Sequence, residues 1–394
     1  MAKKKTSSNP VADIFAEVDK EFGPDGLFNG DDDFIANVET ITSGSASLDD
    51  AMGLWGLPKG RVVQYAGPES SGKTLMAFMA IREWMNAAPH HWAAFYDVEG
   101  TYDGTWASAL GVDTSRLKVS KKTMASDIFN NLCGIKAANK KTGKVTQKKR
   151  GLLDIIEDRG GAEKSGCGII VVDSIPSMQA PIEEVSAAGK INVAPMARFL
   201  PPELRKITPK LGRTGVVLLA INQIRVKIGA MYGNPEDTPG GRAWKHACSM
   251  MVNFGAVYNS ESFITDDLDE KIGHKIKAKI VKNKVAPAHR NAEFEIKYLS
   301  GIVNRHREVF ELAVKYGVIE RPSTVSYAHG GKTVAKGRDN AIEWFANQGS
   351  AFHEQVMLEV MAAKAERVKI VSAGELERMK KDDAAEDDDD WREK

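Results

Sequence analysis

Eight residues constrain this chain more than any others: Gly67-Pro68-Glu69-Ser70-Ser71-Gly72-Lys73-Thr74, spaced G-x-x-x-x-G-K-[ST]. Residues 61–66 before them read as a short strand, and residues 75–85 after them hold helix formers without Pro or Gly. Strand, glycine-rich turn and helix N-terminus together make an anion site. Backbone N–H groups and the positive end of the helix face the phosphate oxygens. In that pattern Lys73 reaches the β- and γ-phosphates, and the Thr74 hydroxyl can ligate Mg²⁺. A glycine turn that fits by accident would not carry the right flanks on both sides. The stretch predicts a nucleoside-triphosphate site.

The chain is 394 residues long, enough for a full α/β core and a smaller second domain. Its 54 basic and 53 acidic residues nearly cancel, so net charge does not identify a polyanionic partner. Three scattered cysteines, Cys133, Cys167 and Cys248, form no C-x-x-C pair, which argues for a reducing compartment over a disulfide framework or structural zinc. The lysines near the start have no apolar stretch behind them, and no run is long enough to span a bilayer. A cytoplasmic protein with no membrane partner is expected.

Alternation of short apolar runs with helical stretches over 36–300 predicts an α/β core. Strand candidates are 61–66, 92–99, 168–174, 215–223, 250–258, 275–284 and 293–299. The runs Ile169–Val172 and Val216–Ala220 lack polar alternation, as strands of a parallel sheet covered on both faces do. The last three alternate more and suit an antiparallel extension. Before the core, residues 1–35 are polar except for an amphipathic helix over 11–22. That helix must pack either on its own core or on a neighbouring subunit. After residue 301 the texture changes to helices and turns, with helical stretches at 305–317 and 340–369. A C-terminal domain over 301–380 is expected, followed by an acidic, disordered tail over 381–394. Residues 136–150 carry seven basic side chains and no acid, and read either as a solvated loop or as a nucleic-acid contact.

Triphosphate chemistry needs an acid near Mg²⁺ and a group that orients water. Asp173 closes an apolar strand and is placed as that metal ligand, although a helix N-cap there would look the same. Asp97 and Glu99 fall on one side of another strand end, and Glu99 is the candidate base. Gln223, ending the strand before a glycine-rich segment, can sense a γ-phosphate. That segment, 224–243, interleaves Arg225, Lys227 and Arg242 with Met231 and Tyr232. It suits phosphate contacts and base stacking on a nucleotide-switched loop, or is simply a flexible loop.

On these residues the chain resembles the RecA-type homologous recombinases. The likeness rests on Val38–Leu48, on the loop Gly67–Thr74, on Ile221–Gly241 and on Val281–Pro287. It implies a RecA-like α/β core, a mostly parallel twisted sheet flanked by helices. An N-terminal polymerisation helix over 11–22 would pack on the next protomer, and a small α+β domain would follow the core. The family further implies ATP and Mg²⁺ as cofactors, with Gly67 to Thr74 on the triphosphate. Thr74 and Asp173 would hold the metal, and Glu99, Lys73 and Gln223 would serve hydrolysis. Asp103 would meet the adenine edge and Trp106 stack on it. Lys245, Lys282 and Lys284 would lie at the interface, the last two reaching ATP on the adjoining subunit. Arg198, Arg205, Arg225, Lys227, Thr238, Gly240 and Gly241 would meet DNA.

The resemblance implies an ATP-dependent filament on single-stranded DNA that pairs it with homologous double-stranded DNA and exchanges strands. A ring-forming helicase motor is the alternative. The chain departs from the pattern in places. The first DNA loop, about 184–195, matches poorly, with Pro195, Pro201 and Pro202 foreign to it. His246 replaces an interface phenylalanine. The basic stretch lies in an insertion of roughly thirty residues, about 134–166.

Overall fold

The computed structural model describes residues 38–138, 145–184, 194–226, 236–256 and 262–368, with isolated positions at 14, 17, 18, 20 and 21. Contacts divide the chain into 1–40 and 41–394. Within the first unit Ile14, Glu17, Val18, Lys20 and Glu21 are helical, and the rest of the expected arm helix lies outside the described residues. The expected tail over 381–394 also lies outside them.

A ten-stranded sheet organises the second unit. Its strands are β1 (Val62–Gly67), β2 (Trp92–Asp97), β3 (Leu117–Ser120), β4 (Cys167–Asp173) and β5 (Val217–Gln223), then β6 (Cys248–Ala256), β7 (Phe263–Thr265), β8 (Lys271–Asn283), β9 (Asn291–Lys297) and β10 (Gly301–Ile302). They run in the order β10-β9-β8-β6-β1-β5-β4-β2-β3, with β7 paired to β8. From β6 through β3 every pairing is parallel. β8, β9 and β10 add antiparallel pairings on the other side. Every residue of β4 is buried, and every residue of β5 but Gln223, the reason those runs show no alternation.

Period-two geometry divides the buried strands between two faces. On one face Val63 and Tyr65 of β1 pack with α2 (Lys73–Ala87). On the other, Val62, Ile170 and Leu218 pack with α4 (Ala125–Cys133), α5 (Leu152–Asp158) and α6 (Pro195–Thr214). Two further helices matter below, α1 (Ala46–Met52) and α3 (Gly104–Ala109). Beyond the sheet, α7 (Gly241–Ala247) leads into β6, and α8 (Arg305–Lys315) and α9 (Arg338–Ala346) build a separate apolar cluster around Phe310 and Phe345.

Four features differ from the sequence reading. The edge strand β3 has no strong apolar run and was not expected. The stretch expected as one helix over 340–369 breaks into α9 and a second helix over 350–368, because Gly349 takes a φ of 84° that ends the turn between them. A β-hairpin, Ser326–His329 with Lys332–Lys336, precedes them, turning on Gly330 and Gly331, both at positive φ.

The prolines supply the fourth. Pro195, Pro201, Pro202 and Pro209 all lie in the twenty-residue α6, although Pro inside a helix removes an N–H and crowds the preceding turn. Pro195 sits in the first turn, where no bond is lost. Pro202 is exposed, so water can reach the unpaired carbonyls on that side. Burial of Leu200, Leu204, Ile207 and Leu211 along the opposite stripe outweighs the local penalty. Residues 185–193 of the expected first DNA loop lie outside the described residues.

The basic stretch has defined ends. Ile135–Ala138 pairs antiparallel with Val145–Lys149, while 139–144 lie outside the described residues. At the neck, a Cβ on Gly151 would lie 2.3 Å from the Gly134 nitrogen, so the two chain segments touch through backbone. Lys210 of α6 reaches across to the Cys133 carbonyl at 2.7 Å and pairs with Asp154, fixing both sides of the neck.

Candidate nucleotide site and nucleic-acid face

The loop between β1 and α2 is shaped by two left-handed residues, Ser70 (φ 56°) and Gly72 (φ 84°). A Cβ on Gly67 would fall 2.5 Å from the Phe254 carbonyl, and one on Gly72 would fall 2.6 Å from Ile276 Cδ1. Only glycine fits either place. The Lys73 amine donates to the Pro68 carbonyl at 2.6 Å and reaches Ser71 Oγ at 3.4 Å, so it curls over its own loop. Burial holds the Lys73 pKa below the usual lysine value, against the pull of Asp173, Glu99 and Glu69.

The carboxylates arrive from neighbouring strands. β2 and β4 pair Asp97 with Asp173, placing both at one end of the sheet. Thr74 Oγ1 donates to Asp173 Oδ2 at 2.8 Å. Burial pushes Asp173 up to about 6, the Thr74 hydrogen bond pulling it back down and Glu99 adding to the rise. A hydroxyl, a buried carboxylate and a glycine cradle are a fitting donor set for a hard divalent cation with a triphosphate. Glu99 Oε1 accepts from Ser174 Oγ at 2.6 Å and from Ser177 Oγ at 3.2 Å. Asp97 turns the other way, its two oxygens accepting from the Thr101 and Tyr102 nitrogens. So although Asp97 and Glu99 leave the same strand end, Asp97 shapes the following turn and Glu99 stays exposed at the cleft.

A cavity of about 540 Å³ opens from this loop. Ser70 to Thr74 line its polar end, and Phe78, Tyr102, Trp106 and Tyr298 line the other. Trp106 stands edge-on to Phe78 with ring centroids 5.4 Å apart, and its Nε1 donates to the Tyr298 carbonyl at 2.6 Å. Asp103 caps α3, its Oδ1 accepting from the Thr105 and Trp106 nitrogens. A triphosphate end and an aromatic end lie in one cleft. Phe78, Tyr298 and the two serines beside Glu99 were not singled out from sequence. Tyr298 lies 192 positions from Trp106, with no local signal linking them.

Gln223 is level with Gly67 across the β1–β5 pairing, beside the loop. The segment it leads into closes on itself at its base, Arg225 pairing with Asp237 and Val226 with Glu236. Lys227, Met231 and Tyr232 lie outside the described residues. Past the segment, Thr238, Gly240, Gly241 and Arg242 lead into α7. A Cβ on Gly241 would sit 3.0 Å from Ala197 Cβ, so the starts of α6 and α7 meet. That contact brings exposed Arg242 near exposed Arg198, with exposed Arg205 two turns along α6, about 10 Å away.

The remaining lysines stand elsewhere. The Lys282 amine donates to the Lys245 carbonyl, and Lys284 Nζ to the His246 carbonyl at 2.7 Å. The Lys284 nitrogen bonds Ser249, level with the Val62 end of β1. At ~3.3 Å per residue that is about 16 Å along the sheet from Gly67. These cations sit away from the loop of their own chain.

The model of the RecA N-terminal domain family matches residues 10–137 and 146–303, well over half of the sequence. The chain belongs to the RecA family. Between those bounds the match is interrupted over residues 138–145, within the basic stretch. Similar proteins include the Protein RecA of Thioalkalivibrio sulfidiphilus (strain HL-EbGR7), 35% identical over 329 residues, 82% of this chain and 85% of that one. The Protein RecA of Nostoc sp. (strain PCC 7120 / SAG 25.82 / UTEX 2576) is 34% identical over 374 residues, 95% of this chain and 94% of its own. A RecA-type role in DNA recombination and repair follows, and the helicase alternative is not favoured. Among the described residues no helix is long and apolar enough to cross a membrane.

Proposed function

We propose that this RecA-family chain is a DNA-dependent ATPase that assembles head to tail on single-stranded DNA and exchanges it into a homologous duplex, in the cytoplasm. The observation that carries this reading is the separation of two half-sites. The loop at Lys73 and the lysines Lys282 and Lys284 lie apart on the sheet, and two copies are needed to put both on one nucleotide. Contacts of that kind repeat into a helical filament unless a ring closes.

Gly67, Pro68, Glu69, Ser70, Ser71 and Gly72 would wrap the triphosphate through backbone N–H groups, with Lys73 on its terminal phosphates. Thr74 and Asp173 would hold Mg²⁺, which neutralises charge building on the phosphates. Asp103 and Trp106 would receive the adenine. Glu99, positioned by Ser174 and Ser177, would take the proton of the attacking water. Gln223 would sense the γ-phosphate beside Gly67. Lys282 and Lys284, with Lys245, would close the site from the next subunit. Arg198, Arg205, Arg225, Lys227, Thr238 and Gly240 to Arg242 would hold the DNA backbone, and Met231 and Tyr232 the bases, leaving sequence choice to base pairing.

Electron microscopy of Glu99→Gln on single-stranded DNA tests this reading. With Mg-ATP the variant should form persistent filaments while turnover falls by about 10²–10⁴-fold. Isolated particles at saturating ATP, for this variant and for the unmodified protein, would remove the proposal.

A further inference from the structure

Three side chains behind the nucleotide cleft, Gln64, Asn222 and Trp244, form a polar hub in an otherwise apolar layer. Gln64 lies in the middle of β1 and is fully buried. Its Oε1 accepts from two donors, Asn222 Nδ2 at 2.9 Å and Trp244 Nε1 at 2.6 Å. Two N–H groups converging on one atom fix the amide orientation, since a flipped Gln64 would face them with its own N–H groups. Trp244 is 1% exposed and belongs to α7. Asn222 is fully buried at the end of β5.

Asn222 reaches three places at once. Its Oδ1 accepts from the Gln223 nitrogen at 2.9 Å, and its Nδ2 donates to the Pro239 carbonyl at 3.0 Å as well as to Gln64. Gln223 leads into the glycine-rich segment and Pro239 lies just past its paired base, so one amide ties both sides of that base. Period-two geometry then separates the duties of two adjacent residues. Gln223 points to the face that carries α2 and the phosphate loop, and Asn222 to the opposite face with Gln64. Behind Asn222, Gly240 lies so close to Trp244 that a Cβ would sit 3.0 Å from Trp244 Cβ. The ring therefore backs the turn out of the segment. Gln64 Nε2 is buried with no hydrogen-bond partner among the described residues, so its two N–H donors are left unmet. A buried layer retains so costly a group where its position matters.

We infer that Asn222, held by Gln64 and Trp244, is a positioning residue that passes nucleotide occupancy at Gln223 to both sides of the paired base of the 224–243 segment together. This rests on the proposed reading of the chain as a nucleotide-gated DNA-binding ATPase. A shift of Gln223 toward a phosphate drags the Asn222 amide. That pulls on Pro239, and through Gln64 on Trp244 and the α7 helix that carries Lys245. The two described ends of the segment then move together, already joined by the Arg225–Asp237 and Val226–Glu236 pairs.

The test uses Asn222→Asp, which keeps the acceptor for the Gln223 nitrogen but sets oxygen against the Gln64 and Pro239 oxygens. Trp244→Phe is the gentler partner, deleting one N–H while keeping an aromatic ring. Three quantities are read on the full chain: affinity for a fluorescent ATP analogue, hydrolysis without DNA, and the ratio of single-stranded DNA affinities with and without ATP. Both variants should keep the first two within about twofold, while the ATP-dependent ratio falls about tenfold, within the usual range of coupling between sites. An unchanged ratio in Trp244→Phe, or an equal fall in all three quantities, overturns the inference. Should Asn222→Asp not fold, Trp244→Phe alone decides. If the unmodified protein shows no ATP-dependent DNA affinity, the functional reading fails first and separately.

Discussion

Beside each of two clefts in this molecule lies a buried carboxyl pushed up to about 6, and the clefts are built for different ends. Asp173 adjoins the 540 Å³ cavity of the phosphate loop through Thr74, which lines it and donates its hydroxyl to the carboxylate, and Lys73 is nearby. Asp49 of α1 lines a larger cavity, about 640 Å³, where α1 meets α8 and the last helix. There both oxygens are engaged, by the Thr42 hydroxyl and by the Ser43 nitrogen at 2.9 Å. Glu83 in the same cleft is paired with Arg82 and, at 3.3 Å, with Arg305. The larger cavity pairs its acids with side-chain and backbone donors around its wall, whereas the smaller is lined at one end by the glycine loop and the first residues of α2, Lys73 and Thr74. Cavity size and a raised pKa alone do not separate the two. The arrangement of donors does.

Substitution should break the comparison most sharply. Lys73→Ala is expected to lower DNA-stimulated ATP hydrolysis by at least about a hundredfold, while Arg305→Ala in the other cleft leaves the rate within about twofold. Comparable losses in a steady-state phosphate-release assay would mean the clefts are not distinct.

The pH response sharpens it next. The Asp173 carboxyl sits above its ordinary 3.8, at about 6, and must lose its proton to hold a cation. Below about pH 6 the apparent Mg²⁺ affinity should weaken, approaching tenfold per unit, and excess Mg²⁺ should restore hydrolysis. Any activity lost through Asp49 in the same window would not be rescued by the metal.

The smallest effect lies at Glu308 in α8. It accepts from Ser45 Oγ at 2.7 Å and the Ser47 nitrogen at 2.9 Å, and burial pushes it up from 4.5 to about 7. Because the folded value lies above the unfolded one, its contribution to stability is greatest below about pH 4.5 and declines as pH rises toward 7. Glu308→Gln keeps an acceptor and removes the charge. It should raise the unfolding midpoint near pH 8 by about 2–4 °C and change it little near pH 4. A variant that melts lower at both would show that the carboxylate itself is required.

The nucleotide end of the fold was legible because its signals are local. The phosphate loop, its strand and its helix are contiguous, and Asp173 and Gln223 end apolar runs that only a covered parallel sheet explains. The rest depends on contacts between distant positions. Gln64 was not singled out within its strand, because its partners Asn222 and Trp244 are 158 and 180 positions away. The α6 helix was hidden by its prolines, whose local cost the buried stripe overrides. The basic stretch offered charge but no periodicity, and its hairpin depends on the Gly134–Gly151 contact and on Lys210.

The placement of Lys282 and Lys284 far from Lys73 gives any row of such molecules a direction. If each copy's lysines close its neighbour's cleft, one terminus always displays an open cleft and the other bare cations. Growth and shrinkage at the two tips then obey different rules, and a subunit lacking the two lysines would block extension at one tip only.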